Sequence, residues 1–403
     1  MDKSDKIYVE KLYKIFGPEP EKGLKLLEEG GDKDAVQEKT GMTVGVQDAN
    51  FSVREGEIFV VMGLSGSGKS TLVRMFNRLI EPTSGSVKVN GEDVLAMTDK
   101  QLVELRRQHM AMVFQSFALM PHLSVLENVA FGLVIGGVAK DKRLTRAKEA
   151  LEQVGLSAYQ GVSPAELSGG QQQRVGLARG LAVNPEIMLM DEAFSALDPL
   201  IRTEMQDELL KIHEHQARTI IFISHDLDEA MRIGDRIAIM ENGCIVQVGT
   251  PEEILQKPAN EYVRAFFRGV DPTHILKVRD IVQSEAVGLQ ASEVSVEKAL
   301  ETLTDQHLSY GCVIDQEGCF IGLVSSESLQ DLLKKDSGDE KKLENAFFRE
   351  VKPVKETDSM QDILPELASK PWPLPVIGED GLYKGVVSKN IFLKTLYREN
   401  GEK

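Results

Sequence analysis

The stretch Gly63–Ser70, which reads GLSGSGKS, fits the pattern G-x-x-x-x-G-K-[S/T] and decides the fold around it. Glycines let the backbone curl so that successive N–H groups converge on an anion. Lys69 adds a mobile positive charge, and the Ser70 hydroxyl is placed to ligate Mg²⁺. An apolar strand, Glu57–Met62, precedes the loop, and a helix-patterned stretch, Thr71–Leu79, follows it. This order predicts a phosphate-binding loop that faces the N-terminus of a helix in an α/β fold.

A second anion-binding helix start is predicted at Leu167–Gln171, which reads LSGGQ and opens an apolar, helix-patterned stretch, Val175–Val183. Ser168 and the glycine amides after it have the composition of such a helix N-terminus. A phosphate loop in the same subunit cannot use this site if the two loops lie on opposite sides. We therefore interpret LSGGQ as a half-site that closes over ATP bound to a partner molecule.

Further polar residues follow three predicted buried strands. Asp191 and Glu192 end the apolar run Ile187–Met190, and they suit the holding of Mg²⁺ and the polarisation of an attacking water, respectively. Gln115 ends a predicted strand, where its amide can reach Mg²⁺ or the water. His225 follows another, and its place after the acidic pair favours a functional role over a structural one.

Together these motifs resemble the ATP-binding cassette (ABC) ATPases over most of residues 1–265. The resemblance implies a head-to-tail dimer with ATP held between the Walker A motif of one subunit and the signature of the other. In family order the motifs are Walker A (Gly63–Ser70), the Q-loop (Gln115), the signature (Leu167–Gln171), Walker B (Ile187–Glu192), the D-loop (Ser195–Asp198) and the switch histidine (His225).

The resemblance also implies the site residues and the cofactors, ATP and Mg²⁺. Either Phe16 or Tyr13 could stack on adenine, and a buried strand-end aromatic is the competing interpretation. The implied catalytic residues are Glu192, His225 and Lys69, and the implied metal ligands are Ser70, Gln115 and Asp191. The implied nucleotide contacts are Phe16, Gly63, Ser65, Gly66, Ser67, Gly68, Lys69, Ser70, Thr71, Gln115, Ser168, Gly169, Gly170, Gln171 and Asp198.

Composition limits the classes of function. The chain has 403 residues, 42% of them hydrophobic, which predicts two to three domains with full cores. A net charge of −16 argues against a nucleic-acid partner. No run approaches the roughly 20 apolar residues of a membrane span, and the start lacks the pattern of a signal peptide. The three cysteines form no C-x-x-C pair, as suits a reducing compartment. We expect a peripheral motor on the cytoplasmic face of a membrane.

Two segments modify the ATPase domain. Gly17–Met42 is polar and acidic, and it predicts either an inserted helical segment or a disordered loop between two edge strands, Lys6–Glu10 and Val44–Val53. Residues 116–132 are unusually apolar for a loop, and with Lys140–Val154 they predict a helical subdomain at about 116–170. Their exposed aromatic and Met side chains would form a groove for a partner helix, or would pack the subdomain's own core. Transmembrane permease subunits are therefore expected to dock near Gln115–Gly132.

The C-terminal part contains an internal repeat. Cys312–Ser325 aligns without gaps to Pro375–Ser388, and each copy reads as strand, acidic glycine turn, strand and a Ser that opens a helix. An apolar helix, Val296–Gln306 or Met360–Ser369, precedes each copy. These patterns predict two tandem α/β units after the ATPase.

The tandem resembles a pair of cystathionine-β-synthase (CBS) domains, which in many members binds adenine nucleotides. Members that do so often carry an Asp three residues after the Ser or Thr, and Ser328 and Ile391 occupy those positions here. A cyclic dinucleotide, a purely electrostatic signal or a structural role as a dimerisation module remain the alternatives. The predicted boundaries are 1–270 for the ABC domain, 271–280 for a linker, and 281–335 and 345–400 for the CBS domains.

The flanks of the insertion, Lys14–Gly17 and Lys39–Val46, and the segment Ser116–His122 resemble the energising subunit of glycine betaine/proline importers. The resemblance implies an ATP-hydrolysing motor for uptake of a compatible solute, regulated by osmotic state through the CBS pair. An importer ATPase for another small solute is the alternative.

Overall fold

The computed structural model describes residues 5–115, 118–195, 197–268, 271–283, 288–292, 294–334, 342–348 and 350–397. Ser116 and Phe117 of the expected docking segment, and Ala196 of the D-loop motif, lie outside these residues. The chain divides into two compact units, residues 1–268 and residues 269–403, each with its own sheets and core.

The first unit alternates strands and helices along the chain, as an α/β fold requires. In chain order its elements are β1 (Asp5–Phe16), α1 (Pro20–Glu28), α2 (Lys33–Thr40), β2 (Thr43–Arg54), β3 (Ile58–Met62), α3 (Lys69–Phe76), β4 (Ser84–Val89), β5 (Glu92–Asp93), α4 (Asp99–Glu104), β6 (Met110–Val113), α5 (Val125–Ile135), α6 (Lys140–Gln153), α7 (Gly169–Ala182), β7 (Ile187–Asp191), α8 (Pro199–His215), β8 (Thr219–Ser224), α9 (Leu227–Ile233), β9 (Arg236–Glu241), β10 (Cys244–Gly249), α10 (Pro251–Gln256) and α11 (Glu261–Phe266).

A six-stranded sheet of order β10-β9-β3-β8-β7-β6 forms the centre of this unit. All its neighbours pair in parallel except β10, which is antiparallel to β9. Every residue of β3, β7 and β8 is buried, because a parallel sheet has both faces covered. The carboxyl ends of β3, β6, β7 and β8 therefore meet at one edge, which is where the predicted site residues follow.

The antiparallel sheet has the order β2-β1-β4-β5. The expectation of two edge strands holds for β2 but is wrong for β1, which lies between β2 and β4. The second neighbour of β1 is β4, which is distant in sequence, so the alternation of polar and apolar residues within β1 could not predict it. Phe51 of this sheet stacks on Phe59 of the parallel sheet with ring centroids 5.3 Å apart, within one core that the two sheets share.

The insertion after β1 is helical, as one of its two interpretations predicted. Pro20 begins α1, and the Asp32 carboxylate caps α2 by accepting a hydrogen bond of 2.8 Å from the Ala35 amide. Leu24, Leu27 and Val36 pack with residues of β1 and β2 in a small core of their own. This burial favours ordered helices over a surface loop.

The helical part of the first unit contains α5, α6 and α7, which pack on one another. Asn128 on α5 is 1% exposed. Its amide nitrogen donates to the carbonyls of Met120, Leu123 and Ser124, and its amide oxygen accepts from the Met120 amide at 2.7 Å. Arg179 of α7 donates to the Ala118 carbonyl at 2.6 Å. Residues 118–124 are thus held in a defined shape against α5 and α7.

The second unit consists of two copies of one topology, as the sequence repeat predicted. In each copy the first strand is parallel and the third antiparallel to the middle strand, in the sheet orders β11-β12-β13 and β14-β15-β16. The elements are α12 (Val278–Ile281), β11 (Gly288–Gln290), α13 (Val296–Asp305), β12 (Tyr310–Ile314), β13 (Phe320–Ser325), α14 (Ser326–Leu333), β14 (Val354–Lys355), α15 (Met360–Ser369), β15 (Leu374–Ile377), β16 (Tyr383–Val387) and α16 (Lys389–Tyr397).

Equivalent serines begin the last helix of each copy. The Ser325 hydroxyl accepts from the Ser328 amide at 3.0 Å, and the Ser388 hydroxyl accepts from the Ile391 amide at 3.3 Å. Ser328, one of the two positions noted above, serves here as the second member of a capping box. Its hydroxyl is therefore engaged in holding the helix start.

The segment around α12 belongs to the second unit. The Val278 amide donates to the Asp358 carbonyl and the Arg279 amide to the Glu356 carbonyl, both at 2.9 Å. Leu276 and Val278 are buried. Within the described ranges no helix is long and apolar enough to cross a membrane.

Candidate functional site: a phosphate loop with converging carboxylates

The loop between β3 and α3 has a backbone that only glycine adopts easily. Gly68 has φ +104°, and a Cβ there would lie 2.1 Å from the Gly45 carbonyl oxygen. A Cβ on Gly63 would lie 2.2 Å from the Met240 carbonyl oxygen. Both contacts are shorter than real Cβ atoms allow, so the motif's glycines are required by packing as well as by conformation.

The same loop has the features of an anion cradle. The N-terminus of α3 has no side-chain cap, so its first N–H groups are free to meet an anion. The Ser67 hydroxyl is buried without a hydrogen-bond partner in the described part of the chain. Ser65 and Gly66 are exposed at the mouth of the loop. A phosphate group fits this set, because it supplies acceptors for the N–H groups and for the orphaned hydroxyl.

Lys69 is only 4% exposed, and its ammonium group donates to the carbonyls of Gly63 at 2.9 Å and Leu64 at 3.0 Å. Burial lowers the pKa of Lys69, and the carboxylates of Glu192 and Asp191 act against that shift. The ammonium lies 4.0 Å from Glu192 Oε1. The hydrogen bonds of this buried cation go to neutral carbonyls and its nearest carboxylate is 4.0 Å away, so a phosphate can approach as a closer counter-ion.

Two hard oxygen ligands lie next to this cradle. The Ser70 hydroxyl donates to Asp191 Oδ1 at 2.7 Å, which brings one residue of the loop and one of the β7 end together. Mg²⁺ prefers oxygen ligands and retains several waters, and the donor set fits it. Asp191 Oδ2 accepts from Arg74 at 2.9 Å. Arg74 was not identified from the sequence, although its spacing of one helical turn from Ser70 was a usable signal.

The remaining polar groups of the site, Gln115 and His225, lie around Glu192. Glu192 has φ +46°, which is rare for a residue other than glycine and is often found where strain serves a function. Its Oε2 accepts from Gln115 Nε2 at 3.2 Å and lies 3.5 Å from His225 Nδ1. The His225 side chain is 54% exposed. The structure thus brings Lys69, Gln115, Glu192 and His225 together from the segments that follow β3, β6, β7 and β8.

The LSGGQ segment lies at the exposed start of α7. The Ser168 hydroxyl accepts from the Gln171 amide at 3.3 Å, and Gln171 Oε1 accepts from the Ser168 amide at 3.0 Å. This capping box fixes the helix start, while Ser168 and Gly169 remain exposed. A Cβ on Gly170 would lie 2.7 Å from Ile201 Cγ2, so this glycine allows close packing against α8.

Asp198 is exposed and caps α8 through a hydrogen bond of 3.1 Å from the Ile201 amide. Of the two aromatic candidates, Phe16 lies beside the phosphate loop helix. A Cβ on Gly45 would be 2.8 Å from the Phe16 ring and 3.3 Å from the Thr71 methyl group. The Phe16 ring is 41% exposed. A ring accessible at this place is suited to stack on a base.

A phosphate loop between a parallel strand and a helix, with an oxygen pair for Mg²⁺ at its side, defines a P-loop nucleoside triphosphatase. Residues 46–195 match the family model described as "ABC transporter". The chain belongs to the ATP-binding proteins of ABC transporters, and its site is an ATP site. A P-loop ABC nucleotide-binding fold is thereby confirmed.

Two relatives match over nearly the whole chain. The glycine betaine/proline betaine transport system ATP-binding protein of Salmonella typhimurium is 52% identical over 398 residues, 98% of each chain. The glycine betaine transport ATP-binding protein of Bacillus subtilis is 45% identical over 403 residues, 99% of this chain and 94% of its own. Among solved structures, a dimeric bacterial ABC transporter cassette is 31% identical, with a TM-score of 0.52 over 60% of this chain and 98% of that one. The same cassette was solved as a dimer bound to ADP and Pi.

Proposed function

We propose that this chain is the ATP-hydrolysing motor of an ABC importer for glycine betaine or a related compatible solute. The observation that carries the solute is the 52% identity, over 98% of each chain, with a relative named for glycine betaine/proline betaine transport. The alternative, an importer of another small solute, differs only in the cargo, because the cargo does not contact this subunit.

The proposed chemistry follows from the group around Glu192. Bound Mg²⁺ would supply charge neutralisation on the phosphates, with Ser70, Asp191 and Gln115 as the residues that hold it or its waters. Lys69 orients the β- and γ-phosphates. Glu192 accepts the proton of the attacking water as the water reaches the γ-phosphorus and the bond to the leaving ADP oxygen breaks. His225, 3.5 Å from Glu192, stabilises the departing phosphate.

The nucleotide site is proposed to be completed by a second copy of the chain. Ser168, Gly169, Gly170 and Gln171 form the start of α7, where Ser168 and Gly169 are exposed and Gly170 and Gln171 are half-buried. A helix N-terminus with exposed first residues is suited to bind an anion presented by a partner. Asp198 lies exposed at the next helix start. The dimeric state of the related solved cassette supports this arrangement.

Permease subunits are proposed to dock near Gln115–Gly132, with the chain at the cytoplasmic face of the membrane. Pro121 and His122 are exposed on a loop that Asn128 of α5 holds in shape through hydrogen bonds to the backbone of Met120. Arg179 joins this loop to α7, which begins with the LSGGQ segment. A displacement of this loop by a permease subunit would therefore be passed through Arg179 to α7, and so to the LSGGQ half-site at the start of α7.

The second unit is proposed to be a CBS pair, at 281–335 and 345–400, that regulates the motor at 1–270 by osmotic state. It contains a cavity of about 780 Å³ lined by Tyr310, Cys312 and Tyr383 among others. Burial raises the pKa of Cys312 to about 11, so this thiol is neutral at physiological pH. No Lys or Arg is among the described lining residues. An uncharged wall favours ionic strength as the signal over a cyclic dinucleotide, whose two phosphates need cations.

The cargo is tested by uptake. Sealed vesicles that contain this chain with its membrane subunits, with ATP and Mg²⁺ on the side of the chain, are expected to concentrate radiolabelled glycine betaine. Vesicles without ATP are the control and are expected only to equilibrate. ATP-driven uptake of other solutes with no uptake of glycine betaine would reject the proposed cargo and leave the motor assignment intact.

The regulatory role is tested by removing the second unit after Arg268. The truncated motor is expected to keep ATPase activity and uptake but to respond less to internal salt, since the Debye length falls from about 10 Å at 0.1 M to about 3 Å at 1 M. Uptake by full-length and truncated forms is compared across internal salt, with and without cyclic di-adenylate. Superimposable salt curves would reject the regulatory role, and loss of the dimer on truncation would then favour the structural alternative. If uptake responds to cyclic di-adenylate but not to salt, the dinucleotide and not ionic strength is the signal.

A further inference from the structure

Arg202, in the first turn of α8, joins two segments that flank the ATP site. Its Nη1 donates to Asp226 Oδ2 at 2.7 Å, and its Nη2 donates to the Leu197 carbonyl at 3.1 Å. One planar guanidinium therefore binds the backbone just before α8 and the side chain just after His225. A guanidinium does this better than an ammonium group, because its donors have a fixed geometry.

Asp226 in turn determines where His225 lies. The Asp226 amide donates to the Ser224 hydroxyl at 2.9 Å, and Asp226 Oδ1 caps α9 by accepting from the Glu229 amide at 3.2 Å. Both neighbours of His225 are thus fixed, while its own ring is exposed and faces Glu192. Moving Asp226 would move the ring away from Glu192.

A second contact lies one turn further along α8. Gln206 Nε2 donates to Glu229 Oε1 at 3.2 Å, and the Ser224 hydroxyl donates to the same carboxyl group. Burial raises the pKa of Glu229. One face of α8 therefore contacts the start of α9 at two points, and Arg202 is the point nearer to His225.

We propose that Arg202 is a positioning residue that links the start of α8 to the loop of His225. The proposal rests on the role of His225 in the proposed function. Leu200, beside the helix start, is 70% exposed, as expected of a surface that a second copy covers. When the partner presses on this surface, the displaced Leu197 carbonyl moves the guanidinium, and the guanidinium moves Asp226. Closure of the dimer thus sets the distance between His225 and Glu192.

The test compares two arginines that pair α8 with α9. Arg202→Gln is expected to lower kcat of the complete transporter's ATPase about 10-fold, with KM for ATP within about twofold. Arg202→Lys is expected to be intermediate, since an ammonium cannot reproduce the fork. The matched control is Arg232→Gln, which breaks the exposed 2.6 Å ion pair of Arg232 with Asp207 between the same two helices. The control is expected to leave kcat and KM unchanged.

Combination with His225→Ala separates positioning from a general loss of structure. If Arg202 acts through His225, then Arg202→Gln lowers kcat no further in the His225→Ala background. An additional 10-fold loss there, or equal effects of Arg202→Gln and Arg232→Gln, would overturn the proposal. If His225→Ala alone keeps the wild-type kcat, the role of His225 in the proposed function fails, and the link fails with it. If instead His225→Ala is inactive and Arg202→Gln keeps the wild-type kcat, the link through Arg202 is rejected and the role of His225 stands.

Discussion

Glu192→Gln is expected to leave ATP binding intact while steady-state ATP turnover falls about 10²–10⁴-fold. The substitution keeps the size of the side chain and removes the negative charge that accepts the proton of water. Glu192 Oε2 already lies 3.2 Å from Gln115 and 3.5 Å from His225, so an amide fits the same place. Because closure does not depend on hydrolysis, the ATP-bound dimer is expected to accumulate.

The measurement is ATPase rate and ATP binding on the purified complex, with the oligomeric state followed by size in the presence of ATP and Mg²⁺. Glu204→Gln is the matched control, because it removes a carboxylate that pairs with Arg174 at the surface of α8. The control is expected to keep its turnover. Turnover within about twofold of wild type in Glu192→Gln would contradict its assignment as the base.

Complementation between two inactive chains is the second large effect. Lys69→Ala removes the cation of the phosphate loop, and Ser168→Arg places a bulky cation at the start of α7. If the two half-sites act in trans, a mixed dimer contains one site with both defects and one intact site. Each homodimer is expected to be nearly inactive, and the mixed dimer is expected to regain up to about half of the wild-type rate.

The mixed dimer is isolated with two different affinity tags, so that its composition is known before the ATPase rate is measured. The control is a chain that carries both substitutions, mixed with a chain of wild-type sequence. That pair also contains two sites, but each site carries one defect. Isolated Lys69→Ala/Ser168→Arg mixed dimers no more active than either homodimer would contradict a shared site.

The phosphate loop, the buried strands and the repeat could be predicted from the sequence because each depends on a pattern of residues within a short stretch of chain. The phosphate loop follows from glycine spacing, the buried strands from continuous apolar runs, and the C-terminal repeat from two stretches that align without gaps. Asp191 and Glu192 could be assigned because they end such a strand. Even the helices of the insertion were among the expectations, and the burial of Leu24, Leu27 and Val36 decided in their favour.

Only the tertiary structure decided which of these elements meet. Parallel pairing of β6, β7, β8 and β3 brings Gln115, Glu192, His225 and Lys69 to one edge, although these residues are far apart in the chain. The inner position of β1 and the contacts of Arg202 have the same origin. Hydrogen bonds between strands, and between a side chain and a distant carbonyl, depend on register and packing. No spacing within a short window of sequence records them.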